Sequence, residues 1–75
     1  MEFIDLTAFR CPVPMVRVKM ALKGLMPGMQ LHVLLSDPGS RQDVPAFLKK
    51  HGFDVSQTQT PEGHLALVIG RHDPQ

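Results

Sequence analysis

The sequence predicts an α/β (α+β) two-layer sandwich in the order β-α-β-α-β-β, a four-stranded mixed sheet with both helices on one face. Two observations carry this. Four segments have the alternation or short apolar run of strands, and two segments between them have helical spacing. Two helices are too few to cover both faces of a four-stranded sheet, so the economical arrangement stacks both on one side.

Glu2-Phe3-Ile4-Asp5-Leu6 alternates as a short first strand. After Pro12-Val13-Pro14, the stripe Met15, Val18, Leu22 and Leu25 makes an amphipathic helix. Prolines are tolerated in a first helical turn, so Pro12 and Pro14 place its start right after Cys11. Leu25-Met26-Pro27-Gly28 stops it, and Leu31, Val33 and Leu35 alternate in a second, central strand. Asp37-Pro38-Gly39-Ser40 reads as a turn. Val44, Phe47 and Leu48 form the face of a second helix ending at Gly52, with Asp43 near its N-cap and Pro45 in its first turn. Residues 53–58 and 65–70 are two strands joined by the turn Pro61-Glu62-Gly63. Right-handed crossovers make the first pairings parallel and the final hairpin antiparallel, and Leu34, Ala66 and Val68 fall on the open sheet face.

With 75 residues the chain reads as one domain, 1–75, with His72 to Gln75 as a loose tail. Its single cysteine, Cys11, rules out an internal disulfide and two-thiol redox catalysis. A net charge of +1, with neither Trp nor Tyr, argues against direct nucleic-acid binding by counterion release or base stacking. The clearest apolar run, Leu65-Ala66-Leu67-Val68-Ile69, is far short of the roughly 20 residues that cross a bilayer, so no membrane association is expected. The N-terminus has no basic region leading into an apolar stretch, which makes a reducing cytoplasm the default location. The four histidines have no metal-ligand spacing and Cys11 has no local partner for zinc, so neither a metal nor another cofactor is expected.

The informative segment is Arg10-Cys11-Pro12-Val13-Pro14. A cysteine at a helix N-terminus meets the positive end of the macrodipole and unpaired N–H groups, both of which favour thiolate. Arg10 adds a cation, while Pro12 and Pro14 remove two donors and leave those of Val13 and Met15. A lone exposed cysteine suits a persulfide carrier, because a neighbouring thiol would attack the inner sulfur and discharge sulfide. The opposing reading is a buried, inert cysteine filling the core. Flanking by Arg10 and Pro12 at an element boundary favours exposure.

These residues resemble the TusA/SirA family of small sulfur carriers, whose signature is an Asp, a Gly three residues on, and Cys-Pro-x-Pro opening the first helix. Asp5 and Cys11-Pro12-Val13-Pro14 match with the right spacing. A second block matches at Pro27-Gly28, Leu31, Val33, Asp37-Pro38 and Asp43-Val44-Pro45 with Phe47. Ala8 stands where the family usually has Gly, a change that would cost on the order of 1 kcal/mol if the loop needed a positive φ there. The resemblance implies that Cys11 takes sulfur from a cysteine desulfurase or rhodanese-like donor and passes it to an acceptor protein. The pathways it implies are tRNA 2-thiouridine synthesis, sulfur oxidation or molybdenum cofactor assembly.

Arg10, Arg17 and Lys19 gather around the start of the first helix, either to steer an acidic partner or as a plain solvated face. Asp37 and Asp43 fit the second block, yet local hydrogen bonding at a turn and an N-cap accounts for both; Asp37 is kept as a candidate partner-binding residue. Met15, Met20, Met26 and Met29 read as core packing or, if exposed near Cys11, as an adaptable docking surface. The competing function is a non-catalytic interaction or regulatory module that uses the open sheet face and in which Cys11 is incidental.

Overall fold

A computed structural model describes residues 2–26 and 28–71. Pro27, expected to help stop the first helix, and His72 to Gln75, expected to be a loose tail, lie outside the described residues. The elements are β1 (Glu2–Asp5), α1 (Val13–Leu22), β2 (Gln30–Leu35), α2 (Pro38–Lys50), β3 (Asp54–Gln59) and β4 (Leu65–Gly70). The predicted β-α-β-α-β-β order and α+β class stand.

The four strands form one mixed sheet in the order β1-β2-β4-β3. β1 runs parallel to β2, while β4 is antiparallel to both β2 and β3. This corrects the expected run of parallel pairings, since β3 shares β2's direction but does not touch it. Burial explains the placement. Leu65, Leu67 and Ile69 of β4 are all buried, each contributing roughly 1.5–3 kcal/mol by leaving water, whereas β3 offers only the half-buried Val55 on a polar strand. The more apolar strand takes the interior position, and the Ser/Gln/Thr strand takes the edge, where its polarity also discourages pairing with other chains.

On the helix side of the sheet, Leu31, Val33, Leu35, Leu65, Leu67 and Ile69 meet Val18 and Leu22 of α1 and Val44 and Leu48 of α2. Leu34 pairs with Ala66 and His32 with Val68 on the opposite, half-buried face, as the alternation predicts. Met15 and Met29 pack against the core, while Met20 and Met26 stay exposed.

Both helix boundaries differ from expectation. α1 ends at Leu22, and Lys23, Gly24 and Leu25 continue as tightened turns bonding three residues back, which still leaves Leu25 buried. α2 begins at Pro38, five residues before the expected start near Asp43, because Asp37 rather than Asp43 is the cap. Its carboxylate accepts the Ser40 N–H at 3.0 Å, and Pro38 sits at the first helical position, where a missing N–H has no consequence. Pro45 therefore lies inside the helix and is buried there, instead of in its first turn. At the far end Gly52, with φ +81°, closes α2: the Phe53 N–H bonds Leu48 O and the Gly52 N–H bonds Lys49 O.

Candidate functional site

The loop that carries the cysteine is fixed at its base by Asp5. Its carboxylate accepts the Thr7 hydroxyl at 2.7 Å and the Thr7 N–H at 3.0 Å, and these bonds hold it below the ordinary aspartate range. Ser36 Oγ donates to Thr7 O at 2.6 Å, tying the loop to the end of β2, and Leu6 extends the parallel pairing by donating to Leu34 O. Beyond it, the Phe9 N–H bonds Leu6 O and the Val13 N–H bonds Arg10 O, so the chain folds round Cys11 before α1 starts. No described non-glycine residue has a positive φ, so Ala8 carries none of the backbone strain considered above.

Cys11 is exposed. It precedes α1 by two residues, since Pro12 stands at the N-cap and closes the first turn by accepting from Val16. The Val13 N–H, expected to face the sulfur, is occupied by Arg10 O instead. The cysteine lies against the start of the other helix. A Cβ added to Gly39, at the second position of α2, would stand 3.6 Å from Cys11 Cβ and 3.9 Å from Sγ. The sulfur thus sits just ahead of α1 and against the second residue of α2, close to both helix starts.

Asp37 completes the site from the α2 side. Its carboxyl is held below the ordinary range chiefly by the Ser40 N–H; burial, next in size, opposes this, and the Cys11 N–H, the Ser40 hydroxyl and the Arg10 charge add to the lowering. Ser40 is buried, with its hydroxyl 3.2 Å from the same carboxylate oxygen. Of the residues singled out from sequence, Arg10, Cys11, Pro12 and Asp37 thus meet at one place. Pro14, the second residue of α1, is buried, whereas Arg17 holds its guanidinium 5.5 Å from the centre of the Phe9 ring. Lys19 does not join them, because its Nζ sits 4.9 Å over the ring of Phe47 on α2. Asp43 is exposed in mid-helix and takes no part.

Sequence reasoning missed Gly39, Ser40 and Phe9. An Asp followed by Pro at the first helical position was a usable signal, because it marks a helix start two residues before Ser40. Phe9, Val13 and Val16, on the same loop-to-α1 segment as Cys11, leave apolar surface exposed. Among the described residues no group of three His, Cys, Asp or Glu side chains could hold a metal, and no helix is long and apolar enough to cross a membrane.

Chemically, the site offers one accessible sulfur, two helix N-termini close by, one cation and one engaged carboxylate. The family described as sulfurtransferase TusA matches residues 2–71. The sulfur carrier protein TusA of Allochromatium vinosum is 33% identical over 66 residues, spanning 88% of this chain and 87% of that protein. A putative sulfur carrier protein of Bacillus subtilis, YrkI, is 37% identical over 64 residues, 85% of this chain and 84% of its own length. The crystal structure of a SirA-like protein from Desulfitobacterium hafniense superposes with a TM-score of 0.82 at 28% identity, covering 95% of this chain and 100% of that one. The exposed Cys-Pro-x-Pro cysteine thus stands in a fold and a sequence shared with sulfur carriers, and the chain belongs to the TusA family of sulfur carriers.

Proposed function

We propose that the protein is a sulfurtransferase acting as a cytoplasmic persulfide carrier, with Cys11 as its one covalent catalyst. The observation that carries this is the placement of the exposed Cys11 sulfur where the two helices begin, in a chain with no second thiol to discharge it. In loading, the Cys11 thiolate attacks the outer sulfur of a donor persulfide. The donor's S–S bond breaks, the donor cysteine leaves as thiolate, and a new S–S bond forms on Cys11 Sγ. In unloading, an acceptor thiolate takes that outer sulfur and Cys11 leaves as thiolate, so the two exchanges involve no net oxidation.

The donor is a cysteine desulfurase or rhodanese-like protein, and the acceptor a protein thiol leading towards tRNA 2-thiouridine or another sulfur-trafficking route such as sulfur oxidation or molybdenum cofactor assembly. Arg10 and Arg17 steer acidic partners, and Phe9, Val13 and Val16 supply apolar contact on the segment that carries the sulfur. Asp37 holds the start of α2 against Cys11.

Intact-mass spectrometry after incubation with a cysteine desulfurase and free cysteine tests this. The expected species is one sulfur heavier, is reversed by reductant and is absent in Cys11→Ser. No added mass, together with a thiol inert to alkylating reagents, would overturn it. A second reading, an interaction module working through the open sheet face, is favoured by Phe3, which stays 64% exposed beside half-buried His32. Full function in Cys11→Ser would select it.

A further inference from the structure

Beyond the cysteine, at the C-terminal ends of both helices, lies an open groove of about 350 Å³. Phe47 and Phe53 form apolar walls, and Lys19, Lys23, His51 and Arg71 bring four basic side chains to its lining, with no carboxylate in that lining among the described residues. Several of these groups are held in place. Arg71 Nη1 donates to Leu25 O at 2.8 Å, Lys19 Nζ rests 4.9 Å over the Phe47 ring, and the His51 ring, tilted by 44°, has its centre 4.4 Å from that of the same Phe47. Phe53 is fixed by the glycine-closed end of α2.

Electrostatics decides the sign of the ligand. The two helix C-termini each contribute roughly half a negative charge, about −1 together, against three full positive charges from Lys19, Lys23 and Arg71. The groove stays cationic, and flat aromatic walls of this size suit a ring or a short apolar body. We propose that it binds a small organic anion, a carboxylate or phosphate carried on a flat apolar body, at a site separate from Cys11. The anion meets Arg71, Lys23 and Lys19, and the apolar body lies against the aromatic lining that Phe47 and Phe53 supply.

Titration of the protein with naphthoate, naphthyl phosphate and neutral naphthalenemethanol, followed by amide NMR, tests this. Saturable shifts are expected for the anions at residues 19–23, 47–53 and 71, with the neutral alcohol about tenfold weaker, the equivalent of one lost charge contact of about 1.4 kcal/mol. Tighter binding of naphthyl phosphate assigns a phosphate ligand and tighter binding of naphthoate a carboxylate, and both support the site. Arg71→Gln and Lys23→Gln each weaken binding several-fold, whereas Lys50→Gln and Cys11→Ser leave it unchanged. Should Arg71→Gln unfold through loss of its bond to Leu25, the exposed Lys23 carries the comparison alone. Equal affinity for the alcohol, shifts centred on residues 10–13, or no saturable shift with either anion would overturn the proposal. Because Cys11→Ser retains the groove, this result is independent of whether Cys11 carries sulfur.

Discussion

Gly39 leaves the Cys11 sulfur its room: a methyl group there would come within 3.9 Å of Sγ, 3.6 Å of Cys11 Cβ and 3.3 Å of the Asp37 carboxylate. The last distance is the tight one. Gly39→Ala therefore pushes on the cap and sets a methyl group in van der Waals contact with the thiol. We expect alkylation of Cys11 by iodoacetamide to slow several-fold. Alanine's advantage of about 0.5–1 kcal/mol within a helix offsets the crowding, so Tm should barely move. Unchanged alkylation with unchanged Tm would mean that Gly39 does not gate the thiol.

Asp37 should make stability fall in acid. Its folded carboxyl titrates below the ordinary value of 3.8, so the stabilisation it supplies is complete above that value and is lost as pH falls through the lower folded one. Asn caps helices about as well as Asp, so Asp37→Asn should keep most of the stability at neutral pH and flatten the decline below pH 3.8. Thermal unfolding across that range reads the slope. Asp5, lowered first by the Thr7 hydroxyl, obeys the same sign and accounts for part of the slope that remains.

Leu48 is fully buried between α2 and the sheet. Leu48→Ala should cost about 2–5 kcal/mol, a large share of the roughly 5–15 kcal/mol that holds a small domain together. Urea unfolding should show a lower midpoint at an unchanged slope. Val68→Ala, on the half-buried opposite face, should cost much less.

Ala8→Gly tests the one departure from the family pattern. With no described non-glycine residue at positive φ, glycine relieves no strain and only widens the unfolded ensemble. A loss of about 0.4–1 kcal/mol is expected in the same urea titration. A gain would mean that the loop is strained.

Periodicity made the strands and α1 legible because their apolar spacing is local information: Val18, Leu22, Leu31 and Val33 all landed in the core. The order of the sheet was not local. It depends on β4 outcompeting β3 for burial, which compares segments rather than reading either one. The start of α2 was misread because Pro45 outweighed Asp37-Pro38, although the cap bond from Ser40 to Asp37 decides the boundary. At the site, Cys11, Arg10 and Pro12 were visible in the motif, whereas Gly39 became relevant only when the fold set α2 against the cysteine loop. Lys19, grouped with Arg10 by sequence proximity, turned instead to Phe47, because residues nine apart on a helix-bearing segment are separated along its axis.

The insertion of β4 between β2 and β3 also governs how the chain can assemble. Until β4 is in place, β2 and β3 have no shared neighbour, and the apolar undersides of both helices have half a sheet to cover them. The β2–β4 pairing joins Gln30 to Gly70, forty residues apart, so a chain without β4 has an open seam along β2. A chain cut short before β4 leaves Leu31, Val33 and Leu35 without their antiparallel partners, and only the chain that includes β4 covers them.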